Sequence, residues 1–238
     1  MAVYVFIGGK ANKEIMTNKI ERHALSLINK SRPKVLYCPY AAVNNMEKSI
    51  SRFHTMMNGI DCDIYDMTID DIDRFDELLN EADCLYIGGG YSDDLVELFI
   101  KNGLDKILRK YTNSNKIFIG SSAGAMLYTA CAMGDKYVYN DNFHSYNYKM
   151  VKCLGLFDMI ICPHYQNEDL IIFNDEIKNY DIDAFGIEED TALIINDNQY
   201  YVIKEDLRRS LYYFDKNTRI MKSLYEGEVY EKIGGFRS

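Results

Sequence analysis

The sequence predicts an α/β fold: a mostly parallel sheet with helices on both faces, and antiparallel strands in the C-terminal third. Three observations carry this prediction. Over roughly the first 130 residues, short apolar runs alternate with amphipathic stretches, the pattern of repeated βα units. Two glycine-rich segments, Gly88-Gly89-Gly90 and Gly120-Ser121-Ser122-Ala123-Gly124, each follow an apolar run, and about thirty residues between them fits neighbouring units of such a sheet. Beyond residue 155, apolar runs follow one another with only short polar spacers, which suits antiparallel hairpins.

Taken in order, residues 3–7 (Val-Tyr-Val-Phe-Ile) form a first strand that enters a turn at Gly8-Gly9. Residues 12–30 show helical spacing at Ile15, Ile20, Ala24, Leu25, Leu27 and Ile28. Residues 35–38 make a short buried strand closed by Pro39, residues 43–58 a helix, and residues 62–65 a strand. A charged helix over 70–81 precedes a strand at 83–87 that runs into the triple glycine. Residues 93–111 form one or two helices, and the strand at 116–119 leads into the Ser122 segment and a following helix. In the last third, strands are expected at 159–162, 184–187, 192–195, 200–203, 211–214 and 219–222, with Asn196-Asp197-Asn198 as one hairpin turn. The chain has three prolines, no internal repeat and no linker rich in Pro, Gly or Ser. A single domain over residues 1–238 is therefore expected.

Composition excludes several classes of function. The net charge of −9 argues against binding nucleic acid or an anionic membrane surface, which require a basic footprint. There is no run of 18 apolar residues to span a bilayer, and the N-terminus lacks the marks of a signal peptide, so a cytoplasmic location is expected. Cys38, Cys62, Cys84, Cys131, Cys153 and Cys162 contain no CxxC pair and read as reduced, mostly buried thiols. Neither a metal nor another cofactor is implied.

The chemistry concentrates at predicted strand ends, where open α/β sheets collect their ligands. Gly120-Ser121-Ser122-Ala123-Gly124 fits the Gly-x-Ser-x-Gly elbow, which presents a serine on a sharp strand-to-helix turn. The amide of Ala123 is then free to donate to a developing oxyanion. A serine needs a base, and the chain has four histidines. His23 and His54 lie in predicted helices among charged residues and read as solvated. His144 lies in the polar stretch 137–148, a predicted loop. His164 follows a core strand and Pro163, and is the candidate base. The acid that orients it is sought among Asp135, Glu188, Glu189 and Asp190. Gly89 and Gly90 let the backbone approach a substrate closely and complete an oxyanion hole with Ala123. The triple glycine lacks the Lys-Ser/Thr of a P-loop.

Together these segments resemble peptidase family S51, which includes the aspartyl dipeptidases (peptidase E) and the cyanophycinases. The likeness rests on the order of an Ile-Gly-Gly-Gly strand end, the Gly-Ser-Ser-Ala-Gly-Ala elbow, the Pro163-His164 step and the Gly186-Ile187-Glu188-Glu189-Asp190-Thr191-Ala192 segment. It implies a fold like the class I glutamine amidotransferases, with Ser122 as nucleophile, His164 as base and Glu189 as acid. Asp135 is the alternative acid. Two positions depart from the family pattern. Tyr91 stands after the triple glycine, where a short polar residue is usual, and is expected to shape the substrate pocket. No arginine lies between Arg109 and Arg208, although family members carry arginines after the catalytic histidine and a bidentate carboxylate clamp calls for one.

The expected function is a serine peptidase that hydrolyses short peptides through an acyl-enzyme, with cleavage after Asp as the family default. The expected partner is a small peptide, and the expected assembly a monomer or homodimer. Two other readings differ in testable features. A non-catalytic small-molecule binder on the same fold would form no acyl-enzyme. A serine esterase of the α/β-hydrolase type would order its triad Ser, acid, His, an order that only Asp135 supplies.

Overall fold

A computed structural model of the chain describes residues 2–11, 17–134, 149–166, 169–197 and 199–231. The predicted alternation is present in its first half. β1 (Val3–Ile7), α1 (Lys19–Ser26), β2 (Lys34–Cys38), α2 (Met46–Met57), β3 (Asp63–Asp66), α3 (Phe75–Glu81) and β4 (Cys84–Ile87) follow in turn. Two helices then occupy the 93–111 region, α4 (Ser92–Lys101) and α5 (Leu104–Lys110), divided where Gly103 turns left-handed at φ 68°. β5 (Ile117–Ser121) leads into the short helix α6 (Ala123–Leu127). Single 3-10 turns at Tyr40–Asn45 and Ile69–Arg74 replace the first turns of the helices expected at 43–58 and 70–81.

The second half is richer in strands than expected. It holds β6 (Thr129–Gly134), β7 (Lys149–Lys152), β8 (Phe157–Pro163), the helix α7 (Asp169–Glu176), β9 (Asp183–Ile187), β10 (Thr191–Asn196), β11 (Gln199–Lys204), β12 (Leu211–Asp215), β13 (Ile220–Leu224) and β14 (Val229–Glu231). The sequence reading lacked β6, β7, β14 and α7. β7 and β14 are short edge strands, β6 follows directly on α6 and takes its place through pairing with β8 and β7, and α7 has almost no amphipathic pattern to detect. The hairpin between β10 and β11 is present, with Asn196 opposite Gln199 and Asp197 at φ 53°; Asn198 lies outside the described residues.

These strands form two sheets rather than one. The first has the order β14-β11-β10-β1-β5-β4-β2-β3, parallel from β1 outward through β3 and antiparallel from β1 through β14. The second has the order β13-β12-β9-β8-β6-β7, with β6, β8 and β9 parallel at its centre. Strand alternation explains the layering. Val5 and Ile7 face α1 and α2, packing with Ile20, Phe53 and Met56. Tyr4 and Phe6 face the opposite way, into a core shared by α3, α4, α5 and the inner face of the second sheet. The outer face of the second sheet, with Ile160 and Cys162, is covered by Phe173 of α7 and by Ile177. Phe157 of β8 stands edge-on to Tyr4 at 4.7 Å and to Phe6 at 5.3 Å between ring centroids. Each fully buried ring of this kind contributes roughly 1.5–3 kcal/mol. The cluster fixes the strand that precedes His164 against the central strand of the first sheet.

None of the six cysteines is in a disulfide; four are buried and two half-buried. Burial pushes the Cys38 and Cys153 thiols up to about 12. Among the described residues, no helix is long and apolar enough to cross a membrane, and no group of His, Cys, Asp or Glu is arranged to hold a metal ion.

Candidate active site

Ser122 stands between β5 and α6 with φ 53° and ψ −116°, a left-handed conformation that only strong surrounding constraint retains in a non-glycine residue. Its flanking glycines show what supplies that constraint. A Cβ on Gly120 would collide with the carbonyl of Gly124, and one on Gly124 with the carbonyl of Ile87. The turn thus closes only with hydrogen at both places, as the elbow pattern requires. The carbonyl of Ser122 then accepts from Ala125 at 2.9 Å and Met126 at 3.1 Å, starting α6.

His164 ends β8 at φ 52°. Its Nε2 lies 2.8 Å from the Ser122 hydroxyl and its Nδ1 lies 2.9 Å from Oε1 of Glu189. The carboxylate beside Nδ1 holds the proton there, which leaves Nε2 as the acceptor facing the serine. Gln166 donates to the other Glu189 oxygen at 3.3 Å. The imidazole is 42% exposed and the carboxylate 18%, so the ring faces a substrate while the acid behind it is shielded.

Of the three consecutive acids, only Glu189 meets the imidazole. Glu188 accepts the amide of Ser210 at 3.0 Å. Asp190 takes a left-handed turn, at φ 58°, and accepts the amide of Ala11 at 3.3 Å. Burial raises the Asp190 carboxyl above its usual range. Asp135 and the His144 stretch lie outside the described residues. The two remaining histidines are remote from the relay. His54 is exposed and pairs with Asp66 at 2.6 Å. His23 is not simply solvated as expected: it is half-buried, 3.1 Å from the Tyr201 hydroxyl, and burial lowers its pKa.

Ser122 and His164 line a cleft of about 600 Å³, at the carboxyl ends of β1, β5, β4 and β2 as the parallel order requires. Gly89 borders Ser122 so closely that a Cβ there would be 3.1 Å from the Ser122 Cβ. Gly90 presses on the carbonyl of Ala41 at φ 153°, a place for glycine alone. Among the described residues, no acceptor meets the amides of Gly89, Gly90 and Ala123. Tyr91, whose amide bonds Ala41 at 2.8 Å, lines the same cleft. Phe53 of α2 and Tyr37 of β2, which also line the cleft, stack with ring centroids 3.8 Å apart.

The family model described as Peptidase family S51 matches residues 4–203.

The chain belongs to peptidase family S51.

As an S51 member it is a serine-type peptidase, a hydrolase. The Bacillus subtilis (strain 168) protein named Uncharacterized peptidase YgaJ is 25% identical to it over 166 residues, which span 68% of this chain and 67% of that protein. Among solved structures, a peptidase from an acI-B1 Actinobacterium superposes with a TM-score of 0.74 at 16% identity, covering 97% of each chain. A putative peptidase E from Listeria monocytogenes EGD-e superposes with a TM-score of 0.64 at 17% identity, covering 87% of this chain and all of that one. The fold of this S51 chain is thus that of the peptidase E-like structures.

Two features of the site escaped the sequence reading. Lys48 and Arg52, one turn apart on α2, line the cleft; their i, i+4 spacing after a strand end was the available signal. Gly9 lies directly behind the imidazole, where a Cβ would collide with Cε1 of His164 and lie 2.8 Å from Nδ1. Its only sequence signal was a glycine pair at the end of a strand.

Proposed function

We propose that this S51 peptidase hydrolyses short acidic peptides with Ser122 as nucleophile, His164 as general base and acid, and Glu189 as the orienting carboxylate. The observation that carries the reading is the continuous Ser122–His164–Glu189 relay, with steps of 2.8 Å and 2.9 Å, opening on the cleft. The Ser122 oxygen attacks the scissile carbonyl carbon while Nε2 of His164 takes the hydroxyl proton. The tetrahedral oxyanion is held by the amides of Ala123 and of Gly89 or Gly90. The imidazolium, steadied by Glu189, returns its proton to the leaving amine, and an acyl-enzyme forms on Ser122. A water activated by the same imidazole then releases the acid.

Cleft size and charge support the substrate class. A volume of about 600 Å³ falls in the range of small-ligand sites and suits dipeptides or tripeptides. The cleft lining holds Lys10, already paired with Glu21 and Glu205, as well as Lys48 and Arg52, and, among the described residues, no carboxylate. In a chain of net charge −9, a positive cleft concentrates anionic substrates. The acidic preference absent from the residues after His164 is thus supplied from α2, with Lys48 and Arg52 reading a substrate Asp or Glu.

The test is a dipeptide and tripeptide library with varied residues on the acyl side of the bond, run on the wild-type protein and on folded Ser122→Ala. Acidic peptides are expected to be cleaved best, and Ser122→Ala to be inactive and unlabelled by a fluorophosphonate. Full activity in Ser122→Ala would overturn the triad. Equal cleavage of neutral peptides would overturn the substrate class and leave the triad standing.

A further inference from the structure

Four residues at the end of β1, Ile7-Gly8-Gly9-Lys10, make contact with every segment of the relay. The Ile7 carbonyl accepts the amide of Ser122 at 2.9 Å, and the Gly8 carbonyl accepts the amide of His164 at 2.9 Å. The Gly9 carbonyl accepts the amide of Asp190, next to Glu189, at 2.8 Å, while the Gly8 amide donates to Thr191 at 3.0 Å. Gly9 itself, at φ 125°, lies against the imidazole ring. One short strap therefore sets the mutual register of three side chains drawn from remote parts of the chain. Two of its four residues are glycines, the most permissive backbone available, so its rigidity must come from its ends.

One end is β1, hydrogen-bonded in the middle of the first sheet. The other is Lys10. Its ammonium donates to Oε2 of Glu21 at 3.2 Å, to Oε1 of Glu205 at 3.2 Å and to the Thr17 carbonyl at 3.1 Å, which uses all three of its donors. The Lys10 side chain is 11% exposed, Glu205 3% and Glu21 not at all. Each carboxylate is anchored in turn. Glu205 accepts the amides of Lys19 at 3.1 Å and Ile20 at 2.9 Å, at the start of α1. Glu21 faces the Tyr86 hydroxyl at 3.4 Å. Burial pushes the lysine down, but the two carboxylates outweigh it and hold the ammonium above its ordinary value. It stays charged at neutral pH and is therefore no general base.

We propose that Lys10 is a positioning residue: tied to Glu21 and Glu205, it fixes the Gly8-Gly9 strap and through it the alignment of Ser122, His164 and Glu189. The inference rests on the triad reading above. A small misplacement of reacting groups costs about 10²-fold in rate, so the loss belongs in kcat rather than in KM.

Lys10→Met alone leaves two buried carboxylates facing each other and risks unfolding. The decisive variant is Lys10→Met/Glu21→Gln, which removes one charge of each sign, with Lys10→Arg as the conservative partner. For each, kcat and KM are measured separately on one peptide, with the rate of Ser122 labelling by a fluorophosphonate and a thermal melt. The double variant is expected to melt as a folded protein, with kcat and the labelling rate reduced about 10²-fold and KM within twofold of wild type. Lys10→Arg is expected to recover most of kcat. Wild-type kcat in the folded double variant would overturn the proposal. So would a raised KM with unchanged kcat, because Lys10 would then be contacting substrate. If the double variant does not fold, Lys10→Arg decides: wild-type KM with a modest loss of kcat supports the strap, and a raised KM at unchanged kcat overturns it. Activity retained by Ser122→Ala would instead sink the triad itself, a separate result.

Discussion

Ser122 and His164 both take a positive φ, 53° and 52°, yet different things hold them there. Ser122 is braced locally. Gly120 and Gly124, two residues to either side, let the turn close on itself and on the carbonyl of Ile87. His164 is braced from far away in sequence. Its amide bonds Gly8, its ring leans on Gly9, and its second nitrogen reaches Glu189. Ser122 follows a strand of the first sheet and His164 a strand of the second. One support is a local motif and the other a long-range assembly, so damage to them should register differently.

The largest expected effect ignores that difference. Ser122→Ala should lower kcat/KM by roughly 10⁶-fold, measured with a short acidic peptide, since removing the nucleophile disables the whole relay. Glu189→Gln keeps the shape but loses the charge behind the imidazole, and kcat should fall by about 10⁴-fold. A loss below tenfold would mean that another carboxylate orients His164.

The paired glycine variants then probe the comparison directly. Gly9→Ala places a methyl against the His164 ring and strains a backbone held at φ 125°, so kcat should fall about 10²-fold beyond whatever stability is lost. Gly124→Ala drives a methyl into the backbone of β4, which cannot yield. Overpacking of about 3 kcal/mol should lower Tm by roughly 6–12 °C. If the two variants behaved alike, the distinction between local and remote bracing would fail. The smallest effect belongs to α2. Lys48→Met/Arg52→Met should reduce kcat/KM on an acidic peptide by about tenfold, near 1.4 kcal/mol, leave a neutral peptide unchanged, and shrink as salt is raised.

This contrast also explains what was legible in the sequence. The elbow could be read because its requirements lie within five consecutive residues. The parallel half of the first sheet was legible because apolar runs such as 84–87 and 117–119 alternate cleanly with helices. The split into two sheets was not, because β6 begins two residues after α6 ends and its pairing with β8 and β7 is decided by tertiary packing. Glu189 could be placed near the site but not separated from Glu188 and Asp190 by residue type. That choice is made by the left-handed turn at Asp190 and by Ser210, which occupies Glu188. Lys48 and Arg52 were not legible because only the tertiary fold brings α2, more than a hundred positions before His164, to the same cleft.

The strap at the end of β1 has a consequence in the order of synthesis. β1 is made well before the segments it pairs with: β5 begins at residue 117 and β10 at residue 191, while Glu205 comes later still. A nascent chain can expose Ser122 well before it carries anything to align it. Such widely separated pairings form late and slowly. The peptidase is therefore expected to gain activity only when the last strands of the first sheet close on β1.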